Sequence, residues 1–193
     1  GPPMVKSAIG ETVSPEDLGG AYVHTKHSGG CDHFVRSQDE GIKKLRDIID
    51  FEPPQKLYVE KRKVNEPKFD FKEMMRDTPV NTYQFIDIRK TLKCLADDSY
   101  VHEYKPTYGE SRGDSIVAGK MWLGGMPVGF IASNNNGVIY IDAARKATEW
   151  MIRCGNQGLP VLFLQGSPGY MVGKSEEWGG IGKYGSDMVR TCS

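Results

Sequence analysis

Apolar positions recur at helical spacing in several stretches of this 193-residue chain and close up into short unbroken runs in others, so elements can be read in order. Ile42, Leu45, Ile48 and Ile49 fall on one helical face behind Ser37 and Glu40, which form an S-x-x-E capping box, and Pro53-Pro54 ends the pattern. Ile88, Leu92 and Leu95 predict another helix that stops before Asp97-Asp98. Ala143, Ala147, Met151 and Cys154 make one stripe behind Asp142, which can cap that helix, with Gly155 and Gly158 placed to end it. A last helix includes Ile181 to Thr191. Near the start, Ser14-Pro15-Glu16-Asp17-Leu18 supplies a hydroxyl N-cap, a proline at the first helical position and acids in the first turn, and Gly19-Gly20 stops it.

The period changes in the second half. Ser115 to Met121 and Pro127 to Ser133, joined by Leu123-Gly124-Gly125-Met126, predict an antiparallel hairpin, after which Asn134-Asn135-Asn136-Gly137 turns the chain. Val161-Leu162-Phe163-Leu164 predicts a strand buried on both faces. The order strand, strand, helix, strand, helix implies a crossover, hence an α/β fold with a partly parallel sheet. From Pro53 to about Pro79 the periodicity is lost, which predicts a linker with one short helix around Lys72 to Arg76 and a boundary near residue 65. A polar loop with His24, His27 and His33 precedes the first long helix.

Composition removes several classes of function. An apolar content of 38% can fill a core, and 25 basic against 25 acidic residues give no overall attraction to nucleic acid or an anionic membrane. The run Lys61-Arg62-Lys63 lies among glutamates and reads as solvated linker. No apolar run reaches the roughly 20 residues of a membrane helix, and no signal peptide opens the chain. Cys31, Cys94, Cys154 and Cys192 include no C-x-x-C pair, so free thiols in a reducing compartment are expected.

Two nucleotide motifs fail on context. Val161 to Ser175 ends in Gly173-Lys174-Ser175 like a phosphate loop, but Pro168 stands where the first glycine belongs, and Gly179-Gly180 interrupts the following helix. Gly180-x-Gly182-x-x-Gly185 spells a dinucleotide fingerprint some fourteen residues too far from its strand, so close helix packing by small residues is expected instead. His24, His27, Asp32 and His33 match no helical zinc spacing and predict hydrogen-bonding and surface roles. Glu176 and Glu177 could act as acid and base, but behind Ser175 as N-cap they also suit an acidic first turn. Trp150 fits the flank of a packed helix, and Trp178 a pocket or core edge.

Five ordered motifs carry a family resemblance. Gly1-Pro2-Pro3-Met4-Val5-Lys6, Gly10 through Ala21, Pro127-Val128-Gly129-Phe130-Ile131-Ala132 with its Asn-Asn-Gly turn, Leu162 through Lys174, and Trp178 through Gly185 resemble the carboxyltransferase (β) subunits of biotin-dependent acyl-CoA carboxylases. The propionyl-CoA and methylcrotonoyl-CoA enzymes and the glutaconyl-CoA decarboxylase transferase subunit share them, and the wording around Tyr170 leans toward the methylcrotonoyl branch.

The resemblance implies an α/β, crotonase-like (ClpP/crotonase) fold, with residues 1–65 as the end of one half plus linker and 66–193 as the beginning of a second, so that the chain reads as an internal fragment. It implies transfer of a carboxyl group between carboxybiotin and the α-carbon of a coenzyme A thioester, a reaction served by backbone N–H groups aimed at developing oxyanions. The alternatives are the transferase subunit of a biotin-dependent decarboxylase, or a catalytically incomplete assembly module. The family's own oxyanion glycines have no counterpart in these residues, so no catalytic residue is assigned. Gly169, Tyr170 and Met171 correspond to a loop near biotin, where Tyr170 replaces the usual phenylalanine; Gly179 and Gly180 can bring backbone close to a ligand; and Asn135, Asn136, Gly137 and Val138 are candidate backbone donors to the thioester oxygen. Expected partners are biotin carboxyl carrier and biotin carboxylase subunits, acyl-CoA and further copies of the chain, with no metal, nucleic acid or membrane, in cytoplasm or mitochondrial matrix.

Overall fold

The glycine pair between the two best-patterned strands sets the centre of the sheet. In the computed structural model, which describes residues 1–50, 62–78, 81, 86–135 and 137–193, β2 (Ile116–Leu123) and β3 (Met126–Ser133) pair antiparallel from Leu123↔Met126 to Ile116↔Ser133. Gly124 and Gly125 both take left-handed backbone, φ 58° and 76°, as a two-residue turn of this hand requires. The Asp97 carboxylate accepts the N–H of both glycines, at 2.9 and 2.7 Å, and so clamps the turn. Helix α7 (Ile141–Gln157) then crosses over to β4 (Val161–Leu164), which lies parallel to β3. The predicted crossover and mixed sheet are both present.

Two strands depart from expectation. β1 (Val101–Tyr104) pairs antiparallel with β2, giving the order β1-β2-β3-β4 among the described residues. It carries no apolar alternation because the buried position beside Tyr104 is a histidine, His102. β4, expected to be covered on both faces, is instead the edge of this sheet, and Phe163 is 44% exposed. A continuous apolar run marks a strand, not how many neighbours cover it.

Each face of the sheet is packed. The α7 stripe of Ala143, Ala147, Met151 and Cys154 is buried against Tyr104, Ile116, Ala118 and Ile131, and Trp150 stacks on Tyr104 with ring centres 4.9 Å apart. Small side chains let this helix approach closely: a Cβ at Gly129 would stand 2.6 Å from Cys154 Sγ. Opposite, Leu92 of α5 (Ile88–Leu95) and the adjoining Ala96 pack on Val117, Met121, Phe130 and Ala132. Asp142, expected as the α7 cap, lies within the first turn, while Tyr140 holds the cap position without a side-chain bond. Its charge still suits the helix dipole there. Gly158, at φ 65°, closes the helix.

The N-terminal segment runs through α1 (Pro2–Ile9), α2 (Pro15–Gly19), a π-helical turn at Val23–His27 where a loop was expected, and α3 (Gln38–Asp50). Ser14 Oγ accepts the Asp17 N–H as predicted. The Ser37 hydroxyl accepts the Glu40 N–H, but Glu40 reaches back to the Arg36 N–H, one residue earlier than a capping box. Among the described residues nothing covers the apolar face of α3, with Ile42, Leu45 and Ile49 all exposed. The segment reaches the sheet layer through Asp32 on Arg153 at 3.0 Å, the Gly109 N–H on Lys26 O, and an edge-to-face contact of His33 with His102. The short helix expected around Lys72 to Arg76 is α4 (Phe71–Asp77), whereas Pro53-Pro54 and Lys61 lie outside the described residues.

Candidate functional site

Open-sheet α/β folds place ligands beyond the carboxyl ends of their parallel strands. A cleft of ≈ 460 Å³ lies there, at the ends of β3 and β4, with Ile131, Ser133, Phe163, Gly169, Tyr170 and Val189 among its lining residues. Its size is that of a small-molecule site. Val189 comes from α9 (Ile181–Cys192), which closes one side.

Two segments singled out separately in the sequence are zipped together at this cleft. Ser167 Oγ donates to Gly137 O at 2.6 Å and accepts the Gly169 N–H at 3.1 Å. The Ile139 N–H donates to Gly169 O and the Met171 N–H to Ile139 O, so that Ile139 and Tyr170 form a parallel bridge. Gly137, at φ 64°, lies so close to Gly166 that a Cβ would overlap the Gly166 carbonyl oxygen. Turn and loop are therefore joined into one wall.

Tyr170 is pinned from its far end. Its hydroxyl donates to Gly185 O at 3.2 Å, and its ring lies where a Cβ on Gly185 would come within 3.0 Å. Burial, reinforced by nearby Cys192, raises the phenol pKa above its ordinary value, so the hydroxyl is a donor at neutral pH. The expected close packing by small residues thus holds at Gly185, while Gly182 faces open space and Gly180, at φ 93°, makes the junction between α8 (Lys174–Gly179) and α9.

The other expected residues separate. Gly179 packs on Ile141, with Gly180 beside it, and neither is in the cleft lining; nor is Met171. Of the four candidate backbone donors, Asn135 gives its N–H to Ile86 O and Gly137 to Asn134 O; Val138 is half-buried, and Asn136 lies outside the described residues. Gly173, rather than Ser175, caps α8. Glu176 is buried with its Oε1 on Arg112 Nη1 at 3.2 Å, Glu177 is exposed, and neither reaches the cleft. Trp178 is 80% exposed, with the Lys174 ammonium 4.2 Å from its ring centre. His24 bonds Ser28, His27 packs on Tyr22, Asp32 pairs with Arg153 and His33 meets His102; no cluster of three potential metal ligands occurs among the described residues. Ser133, Ser167 and Val189 belong to the cleft but carried no sequence signal beyond Ser167 standing in a Gly-Ser-Pro-Gly turn.

The profile of the carboxyl transferase domain matches residues 1–193. The chain belongs to the carboxyl transferase domain family. It is 37% identical to the mitochondrial methylcrotonoyl-CoA carboxylase beta chain of Dictyostelium discoideum over 98% of its own length and 31% of that protein. It is 35% identical to the biotin-dependent 3-methylcrotonyl-coenzyme A carboxylase beta1 subunit of Mycobacterium tuberculosis, over 98% of the chain and 35% of that subunit. A solved transcarboxylase 12S structure, described as a hexamer assembly with methylmalonyl-coenzyme A bound, superposes with a TM-score of 0.89 at 26% identity, covering 99% of this chain and 37% of that one. The fold is accordingly the α/β crotonase-like fold of carboxyltransferases. No helix among the described residues is long and apolar enough to cross a membrane.

This carboxyl transferase domain carries a pH-sensitive seam away from the cleft. Burial, then His33, Lys44 and Lys120, push His102 down to about 4, against the opposing charge of Asp47; burial and Lys44 also lower His33. A histidine whose folded pKa lies below its ordinary 6.5 binds fewer protons folded than unfolded. Its neutral form therefore stabilises the fold above that value, and stability is lost as pH falls from 6.5 toward 4. A loss of roughly 1 to 3 kcal/mol is expected across this window. Denaturant midpoints measured between about pH 7.5 and pH 5 should fall with pH in the unsubstituted protein and fall less steeply in His102→Phe.

Proposed function

We propose that the parent of this chain is an acyl-CoA carboxyltransferase, which moves a carboxyl group between carboxybiotin and the α-carbon of an acyl-CoA thioester. The observation that carries the reading is the whole-chain family match, and the joined Gly137 and Gly169-Tyr170 wall on the cleft supports it. Residues 1–65 are proposed as the end of one crotonase-like half and 66–193 as the beginning of the next.

In this reading the chain's own residues shape and dry the site. Phe163, Ile131 and Val189 supply apolar surface that excludes water, and Tyr170 presents its ring beside Gly169 to the biotin ureido group. Asn135 and Gly137 enter as wall, because their N–H protons already have acceptors inside the protein. Biotin arrives as a co-substrate on a carrier subunit, charged by a biotin carboxylase, and the subunit works as a homo-oligomer in cytoplasm or mitochondrial matrix. The relatives named for methylcrotonoyl-CoA favour a branched, unsaturated acyl group, in which a γ-methyl proton is lost and the dienolate takes the carboxyl at the γ-carbon in place of the α-carbon. The test incubates the full-length protein with carboxybiotin and either 3-methylcrotonoyl-CoA or propionyl-CoA. A carboxylated thioester is expected, faster from the branched substrate; no carboxylated product from either would overturn the reading.

A further inference from the structure

Beside the cleft wall lies a polar network, part-buried except for the fully buried Asn134, that no role so far assigned to the site explains. Arg89, the second residue of α5, forks onto Glu103 of β1 at 2.8 and 2.9 Å and onto Asp114 at 2.5 Å. The Asp114 carboxylate also accepts from Asn134 Nδ2 at 3.0 Å. Asn134 is 2% exposed and its carboxamide is fully engaged: Oδ1 accepts the Ile88 N–H at 3.1 Å, and Nδ2 donates to Asp114 O at 3.1 Å as well as to the carboxylate. Reversing the amide would set donor against donor at Ile88, so its orientation is fixed. The same residue spends its backbone on the turn, giving its N–H to Ser115 O and accepting the Gly137 N–H at 2.9 Å. One unbroken set of contacts thus runs from Arg89 through Asp114, Asn134, Gly137 and Ser167 to the Gly169-Tyr170 loop.

Resting on the carboxyltransferase reading, we infer that Asn134 is a positioning residue for the transfer site, holding Gly137 and through it the Gly169-Tyr170 wall, with the Arg89–Asp114 pair as its fixed anchor. A core needing only stability would be served by an apolar residue at the end of β3. Burying the Asn134 carboxamide costs desolvation, and what it adds is one defined geometry, because a displaced turn leaves its buried donors and acceptor unpaired. Placement of this kind matters at a transfer site, where a shift of about 1 Å costs roughly 100-fold in rate.

The experiment uses the full-length carboxyltransferase assembled with its partner subunits, and measures kcat, the KM for acyl-CoA and the thermal midpoint. Asn134→Asp sets a second carboxylate against Asp114 and removes the donor between them. A fall in kcat of roughly 10- to 100-fold is expected, with KM for acyl-CoA within about threefold of its original value. Adding Asp114→Asn restores a donor facing an acceptor with the two chemistries exchanged, and should recover at least about tenfold in kcat. A purely structural role would lower the thermal midpoint while leaving kcat per folded enzyme within about twofold, and with no recovery in the double variant that result overturns the inference alone. An unsubstituted enzyme that transfers no carboxyl group would overturn the inference and the proposed function together.

Discussion

Gly137→Ala in the full-length enzyme is expected to lower the rate of carboxyl transfer roughly 100-fold, equivalent to about 2.7 kcal/mol. Two effects combine at this position. The backbone is left-handed at φ 64°, which costs a residue with a Cβ about 1 kcal/mol, and the added methyl would overlap the Gly166 carbonyl oxygen. The turn and the loop must separate to relieve the overlap, which stretches the Ser167 bond to Gly137 O and shifts Tyr170. Gly124→Ala is the control. Its φ of 58° carries the same strain, but among the described residues no non-adjacent atom lies within 4 Å of the new Cβ, and it sits at the opposite end of the hairpin from the cleft. It should cost about 1 kcal/mol of stability and leave transfer kinetics unchanged. Equal kinetic losses in both variants would show that strain alone, and not the turn-to-loop contact, is responsible.

Asp97→Ala is expected to lower unfolding free energy by about 2 to 4 kcal/mol in a denaturant titration, because it strips the acceptor from two hairpin N–H groups at once. Both bonds are short and charge-assisted, at 2.9 and 2.7 Å, and Asp97 is 9% exposed, so water replaces the carboxylate poorly. Asp97→Asn keeps one acceptor oxygen and turns a donor toward the other N–H, so it should recover less than half of the loss. A change within about 0.5 kcal/mol for Asp97→Ala would mean that the glycine turn stands without the clamp.

The elements that could be read in advance are those whose pattern is set by burial within a single element. The α7 stripe was legible because each of Ala143, Ala147, Met151 and Cys154 faces one sheet, and the hairpin because Gly124-Gly125 can take the left-handed turn its strands need. β1 was not, since His102 occupies a core position under a polar identity, and β4 was found as a strand but is less covered than expected, because apolarity does not report which neighbours cover it. Trp178, expected at a pocket or core edge, proved to be a solvent-facing ring beneath Lys174. At the site, a glycine-rich turn after a strand identified the Gly166–Met171 loop, and the family resemblance singled out Tyr170 within it. What held that loop in place was not legible. The Ser167 bond to Gly137 spans 30 residues and the Asn134 bond to Ile88 spans 46, and no spacing rule connects such positions before the chain is folded.

We propose that the Tyr170 wall faces biotin. It is tested most directly by steady-state kinetics of Tyr170→Ala in the full-length enzyme, varying free biotin and acyl-CoA separately in the transfer half-reaction. The ring removed is the one seated on Gly185 beside the cleft, so the KM for biotin should rise roughly tenfold while that for acyl-CoA stays within about twofold. Unchanged constants for both substrates would contradict the account.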